Sequence, residues 1–513
     1  MEECLKLLKG ERDEQKLAGL LLSTKFCKGD DHHSILKIYN AVGPAFLDRL
    51  LKTGMGGDNK DAYLQLSVTI LAAICRVPEI ARSKDMVSKV SYTLDILKNG
   101  SGASVVVVVE ECYEFLFLVS TSSEDGFAAF YESRGVNVLA NNMPTLPDGS
   151  HSLELAMTLV QSMLIKLPMD SLYNEYAAEL SQLVAAIARQ FALLHNALKF
   201  KALNLLSTLL SSEYAAPLHD ALRLVSNEIW PIYVRVGIVA ILQNRVASTE
   251  KFHALVLAES SISILGEKWL IDQRKLPGGE DPLPADRCLL LVLESSRVEV
   301  AVLLNEIAYL KYEASSESSA DIRLKQQNLA IAFSLIEKII KLISNVAGDE
   351  VQDINLFWLT QVTDCLVKLM DLNNLVVGEA FGTIFLACDT IMNILLKKEE
   401  ASVQLDGSSI VRLLTAFASC TDFITDPSFI MMASSICTLI FDSTSEEALL
   451  SHPDFKPSTL NSLARLIAKS LRTSGQDQMS DVAKTEGDLH QIITAGYTRW
   501  ADRFPRIKEA VKR

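Results

Sequence analysis

Two apolar stripes separated by a pair of serines limit what Leu283–Glu313 can become. Cys288, Leu289, Leu290, Leu291, Val292 and Leu293 follow one another without a polar interruption. As a helix, from about Asp286 to Glu294, this run is apolar nearly all round, and such a helix is buried on most sides. Ser295 and Ser296 then read as a break. Ser296-Arg297-Val298-Glu299 reads as a capping box, the serine hydroxyl taking a free N–H of the next helix and Glu299 reaching back. That next helix puts Val300, Leu303, Leu304, Ile307 and Leu310 on one stripe, with Asn305, Glu306 and Lys311 off it. Neither helix buries its apolar side unaided. A helix pair with that deficit is the unit of an α-solenoid, in which the next pair supplies the missing cover.

The theme recurs along the chain. Glu3–Lys9 and Glu11–Phe26 open it; Leu17, Leu20, Leu21 and Phe26 share an apolar side, and Gly29-Asp30 ends the helix. Ser34–Val42 and Pro44–Lys52 follow, Pro44 suiting a first turn where a missing N–H is not missed. A glycine-rich loop at Thr53–Asn59 precedes helices at Ala62–Cys75, Pro78–Ser83 and Met86–Lys98. Long, short, long is an armadillo-like signature. Ser104–Ser120 carries five consecutive valines, which favour strand. Its length and its helical flanks make helix the expectation. At Ser133–Leu139 a repeat turns into its last helix, with Gly135 allowing the corner.

Asn141–Ser150 is a loop, and helices are expected at Leu153–Ile165, Ser171–Arg189, Ala192–Leu210, Pro217–Glu228, Pro231–Gln243 and Thr249–Ile271. Leu276–Pro284 is a break and Ala314–Ser319 a solvated turn. Ile322–Ile343 is a long helix with Leu324, Leu329, Phe333, Ile336, Ile340 and Ile343 as core rows. Beyond Ala347 the pattern is less regular: Leu356–Met370, Ala380–Leu396, Ser409–Ala418, Pro427–Phe441, Ser458–Leu471 and Asp488–Trp500, with a second capping box at Thr444-Ser445-Glu446-Glu447. The expected fold is all-α, an armadillo/HEAT-like α-solenoid superhelix, with one set of repeats over 1–346 and a second over 347–513.

Charge and cysteines narrow the function. The 513 residues carry a formal charge of −14, which opposes binding to nucleic acid, whose phosphates need a basic face. Nine cysteines are scattered without a C-x-x-C pair. An odd count and a charged start, MEECLKLLKGERDEQK, point to a reducing, cytoplasmic setting. The most apolar segment, Val105–Ser120, is interrupted by Glu110, Glu111 and Glu114 and is too short to span a bilayer. Cys4 is a conceivable lipid acceptor, but Glu2 and Glu3 disfavour anionic membranes; peripheral membrane association stays open. The basic end (Arg499, Arg503, Arg506, Lys508, Lys512, Arg513) either complements a helix dipole or docks on an acidic surface.

A search for chemistry returns no catalytic, cofactor-binding or metal-ligating residues. No glycine is followed directly by lysine, which rules out a P-loop. Gly54-Met55-Gly56-Gly57 lacks a preceding strand and reads as a turn. No G-x-S-x-G elbow occurs. Asp30-Asp31-His32-His33 has ligand-type residues, but neighbours at a helix start point apart, and a capping aspartate explains the cluster. Glu110-Glu111 and Glu399-Glu400 read as solvated faces, and His195 as a core or surface residue.

Leu17–Cys27 with Lys28-Gly29-Asp30, then Ile38–Gly43 with Phe46 and Arg49-Leu50-Leu51, and then Arg297-Val298-Glu299-Val300 downstream of Lys268-Trp269, together resemble the neurochondrin family. The resemblance covers about Met1–Ile343 and thins after it. Family members are longer, so the Asn345–Asn355 junction reads as a deletion or a splice junction, which would leave an apolar face on Ile322–Ile343 partly uncovered. The resemblance implies an armadillo-like, non-enzymatic cytoplasmic protein. Animal members are linked to neurite outgrowth, receptor tails and kinase regulation. Plant sequences carry the family too, so the neuronal role is not the general one. It brings no catalytic or ligand residues to this chain.

The expectation is a scaffold or adaptor that binds protein partners with basic or amphipathic helical segments on its solenoid surface. The alternative is a karyopherin-like cargo-binding transport factor. Armadillo cargo carriers use regular Trp-Asn rows, whereas this chain has four tryptophans, Trp230, Trp269, Trp358 and Trp500, in no such repeat.

Overall fold

The computed structural model describes residues 1–23, 31–56, 60–99, 105–225, 229–272, 274, 284–313, 318–346, 388, 391, 407–421, 426–472 and 481–512. The regular secondary structure of these residues is entirely helical. The chain divides into two compact units, Met1–Trp269 with Gln273–Pro284, and Leu270–Asp272 with Ala285–Arg513.

The first unit begins with α1 (Glu2–Leu8), α2 (Asp13–Ser23), α3 (His32–Val42), α4 (Pro44–Gly56), α5 (Lys60–Cys75) and α6 (Pro78–Ala81). From there a three-helix pattern repeats: α7 (Lys84–Val87), α8 (Val90–Asn99) and α9 (Val105–Ser122); α10 (Glu124–Glu132), α11 (Gly135–Asn142) and α12 (His151–Lys166); α13 (Met169–Glu175), α14 (Ala177–Leu193) and α15 (Ala197–Ser211); α16 (Ala216–Leu224), α17 (Trp230–Leu242) and α18 (Ser248–Leu265). Successive starts fall within the roughly 40–47 residues of an armadillo or HEAT repeat. Like helices stack on like: α8, α11, α14 and α17 form one row, and α5, α9, α12, α15 and α18 another. Stacking buries the stripes that no single repeat covers, including Leu159, Val160 and Met163 of α12 and Leu203, Leu206 and Leu210 of α15. Each such side chain contributes about 1.5–3 kcal/mol. The valine-rich segment is helix α9, as expected. It has α5 on one side and α12 on the other, and that cover outweighs the β preference of its valines.

Polar side chains link each repeat to the next. Arg76 Nε donates to Glu114 at 2.8 Å, Asn137 to Glu179 at 2.5 Å, and Arg189 to Asp148 at 2.8 Å. Others satisfy the carbonyls left open at helix C-termini, where cations are also favoured by the dipole. Arg82 and Lys166 donate to Ser122 O and Ser120 O of α9, Tyr173 to Leu209 O of α15, and Arg223 to Ile264 O of α18.

Several boundaries differ from expectation. The segment 86–98 is two helices, α7 and α8, and 171–189 is two, α13 and α14, broken at Tyr176 (φ −123°, ψ 28°). No glycine or proline marks either break. Separate packing sets them: α7 against α10 and α13 against α16, while α8 and α14 join the other row. The corner before α11 also differs. Its left-handed residue is Arg134 (φ 59°), not Gly135. Gly135 serves close approach instead, since a Cβ there would sit 2.4 Å from the Phe130 ring. Helix α4 continues through Gly56, where a loop was expected, because its extra turn packs on α5. Leu21 faces solvent, 55% exposed, while Leu20 is buried. That helix, expected over Glu11–Phe26, is α2 at Asp13–Ser23, and its expected end at Gly29-Asp30 lies outside the described residues.

The second unit contains α19 (Ala285–Glu313), α20 (Ser318–Val346), α21 (Gly407–Cys420), α22 (Pro427–Asp442), α23 (Glu446–Leu450), α24 (Pro457–Arg472), α25 (Asp481–Trp500) and α26 (Pro505–Lys512). Here the opening expectation is overturned: Ser295 and Ser296 do not separate two helices. Helix α19 runs unbroken through them, and Ser296 caps nothing. Its side chain is fully buried and its Oγ has no hydrogen-bond partner among the described residues. Arg297 pairs back with Glu294. Serine is only mildly unfavourable inside a helix, and a 29-residue helix against α20 keeps every mid-helix backbone bond that a turn would break.

The core rows of α20 are covered at Leu329, Phe333 and Ile336, but Leu324 is 57% exposed. Leu335, Ile339 and Leu342 are buried, and the side chains of Ile340 and Ile343 lie outside the described residues. Lys325 pairs with Glu306 across the two helices. The cap of α23 is Ser445, accepting from Ala448 N, so its third residue is alanine and the expected Glu447 partner is out of register. The junction beyond Val346 and the helices expected at 356–370 and 380–396 lie outside the described residues, except for buried Cys388 and Ile391.

A candidate partner-binding groove

The row α9, α12, α15 and α18 carries the polar stripes that its stacking leaves in solvent. On α12 these are His151, Glu154, Thr158 and Gln161, with apolar Ile165 at the end, spaced by three or four residues along one face. On α15 they are Lys201, Asn204 and Thr208, beside apolar Phe200. Between the two stripes lies a groove of about 340 Å³, lined by both and by Glu250 from the first turn of α18. Its rim carries Ile165, 75% exposed, beside half-buried Phe200. Lys201 is held in place: its Nζ donates to Thr158 Oγ1 and, at 3.4 Å, to Glu154 O. Burial lowers its pKa, opposed by Glu154. Glu250 is the counterpart left open. Its Oε2 is shielded from solvent and has no hydrogen-bond partner among the described residues.

A buried lysine lies two residues before Lys201 in the chain, on another face of α15. Lys199 Nζ donates to Phe191 O at 2.6 Å and sits 5.2 Å from the Phe191 ring centre. Burial lowers its pKa from 10.5 to about 8. Between those values the unfolded chain holds a proton that the folded chain has released. Stability therefore rises with pH from about 8 to about 10.5, by about 2–3 kcal/mol at most. Urea midpoints measured across that range should show the rise in the natural chain, and Lys199→Met should remove it. An unchanged pH dependence in the variant would show that Lys199 is not desolvated.

The sequence nominated no site residue, and the groove residues went unremarked. Ile165 entered only as the last residue of an expected helix. The signal that was available is the pair of polar stripes on neighbouring helices with a lone apolar residue at the end of one. The Asp30–His33 cluster resolves as expected for its described part: Asp31 caps α3, accepting from Ser34 N, and His32 and His33 are exposed. Among the described residues no group of three histidines, cysteines or carboxylates is placed to hold a metal. Glu111 departs from the solvated reading. It is half-buried, accepts from Thr69 at 3.4 Å, and burial raises its pKa. Glu399-Glu400 lies outside the described residues.

The basic end is used within its own unit: Arg499 pairs with Asp442 at 2.5 Å, Arg506 with Glu446 at 3.2 Å, and Arg503 donates to Thr444 O and Asp442 O. Cys4, Cys75, Cys112, Cys288, Cys388 and Cys437 are buried and in no disulfide, and burial raises the thiol pKa at Cys4, Cys75, Cys112 and Cys437. Among the described residues no helix is long and apolar enough to cross a membrane.

A profile of the neurochondrin family matches residues 1–363, running through the Asn345–Asn355 stretch. Neurochondrin of Gallus gallus is 24% identical over 325 residues, 62% of this chain and 43% of that protein. The neurochondrin homolog of Drosophila melanogaster is 24% identical over 286 residues, 54% and 38%. The matched region thus spans less than half the length of these curated relatives. Among solved structures, one from work on a phosphorylation switch controlling the interaction between cadherin and beta-catenin is 12% identical, covering 96% of this chain and 94% of that chain, with TM-score 0.45. Importin beta is also 12% identical, covering 99% and 68%, with TM-score 0.26. At these TM-scores the likenesses add nothing to the architecture described above.

Proposed function

The chain belongs to the neurochondrin family, and from that premise we propose that it is a non-enzymatic scaffold or adaptor of the cytoplasm that binds protein partners on its helical-repeat surface. The observation that carries the proposal is the groove between α12 and α15, where an exposed isoleucine and a desolvated carboxylate oxygen without a donor among the described residues stand on a repeat-built floor. Stacked repeats offer extended surfaces of this kind to peptides and helices. Polar side chains elsewhere in the unit cap helix ends and join repeats, roles that need no reaction. Buried thiols outside any disulfide suit a reducing compartment. The charge of −14 favours basic partners and a salt-sensitive association rate.

Affinity capture on the full chain, with mass spectrometry at low and at raised salt, tests the reading. Specific proteins should be retained at low salt and reduced as salt rises. Recovery of nothing above background at either salt would overturn it.

A further inference from the structure

We propose that the groove between α12 and α15 takes an arginine with a neighbouring apolar side chain from an extended segment of a protein partner. This deepens the protein-binding reading and rests on it.

The charges of the groove choose the cation. The cationic group that the chain itself supplies there, Lys201, is drawn to the α12 side by Thr158 and the Glu154 carbonyl. On the α18 side, Glu250 keeps a carboxylate oxygen out of water and without a hydrogen-bond donor. A desolvated acceptor of that kind costs free energy until a donor arrives, and a charged donor is the strongest. Gln161, Asn204 and Thr208 add acceptor groups along the same groove. An arginine presents five N–H donors in a planar fork and tolerates partial burial better than lysine, whose ammonium holds water more strongly. Ile165 and Phe200 supply the apolar surface beside it. At about 340 Å³ the groove is at the small end of the roughly 300–1,000 Å³ of ligand pockets, fitting a few side chains and not a whole helix.

The probe is a short fluorescein-labelled peptide of Arg, Leu and Ser, read by fluorescence anisotropy against the full chain. The control peptide carries citrulline in place of arginine, which keeps the shape and removes the charge. The arginine peptide should bind, more tightly at low salt, and the citrulline peptide should bind at least tenfold more weakly. Glu250→Gln should weaken arginine-peptide binding about tenfold, and Ile165→Asp at least as much. Ile165 is largely exposed, so its replacement leaves the fold intact. Glu132→Gln, on exposed α10 surface, should change nothing.

Equal binding of the two peptides, or arginine-peptide binding unchanged in both groove variants, overturns the proposal. So does a concentration-dependent dimer abolished by Ile165→Asp, which would make a second copy of the chain the occupant. In each of these cases the protein-binding reading stands if affinity capture still retains partners. Failure of both capture and peptide binding removes the reading together with the groove assignment.

Discussion

Trp500→Ala is expected to destabilise the helices at the C-terminal end of the second unit by about 3–5 kcal/mol, the range for removing a buried Trp or Phe. Trp500 is fully buried at the end of α25. Its ring meets Phe441 at 5.1 Å, Tyr497 at 5.3 Å and Phe504 at 5.6 Å, each edge-on, the geometry that aromatic pairs prefer. One side chain thereby joins α22, α25 and the turn into α26. Its indole Nε1 has no hydrogen-bond partner among the described residues, so the loss is one of packing. Repeat proteins open locally, and hydrogen exchange reads such an event better than one global melt. Protection should fall in α22, α25 and α26 and stay unchanged in α7 to α18. Trp500→Phe should recover part of the loss. A loss below about 1 kcal/mol would mean that the basic end is held by its ion pairs with Asp442 and Glu446 and not by this ring.

What the sequence made legible, and what it hid, divides along the range of the forces involved. Helix starts were readable where one residue does the work locally. Pro44 begins α4, and Asp31 caps α3 through its own side chain. The all-helical solenoid was readable too, because apolar stripes that cannot cover themselves demand stacked neighbours. The two serines at 295 and 296 misled because a cap and a mid-helix serine look alike in sequence. The buried packing of α19 against α20 decides between them. The breaks at Ser88 and Tyr176 carry no glycine or proline and arise from how whole helices sort into rows. The groove was hidden for the same reason. A period of 3.6 residues says that Ile165 shares a face with Gln161 and Thr158, but not that the neighbouring helix leaves that face open.

Gly237→Leu tests the row spacing on which that groove depends, and is expected to cost at least about 3 kcal/mol in the repeats around α14 and α17. Glycine inside a helix is normally a weakness of about 1 kcal/mol relative to alanine, so Gly237→Ala should stabilise if space allows. It does not allow it. A Cβ on Gly237 would lie 2.3 Å from the Phe191 ring, which is itself fully buried. The ring is hemmed in by Lys199, whose ammonium lies against it and bonds the Phe191 carbonyl. Overpacking a core site typically costs about 1–3 kcal/mol, and a leucine adds three carbons beyond the first clash. Gly237→Ala should therefore be destabilising despite its better helix propensity, and Gly237→Leu more so. Adding Phe191→Ala to Gly237→Leu should return part of the loss, the signature of two residues competing for one space. Because α14 and α17 hold the same two repeats whose other helices are α15 and α18, widening their spacing also moves Glu250 relative to Lys201. The arginine-peptide affinity should fall in Gly237→Leu even though no groove residue has changed. A Gly237→Ala chain as stable as the natural one would show that the ring has room to yield and that the spacing is not fixed by this contact.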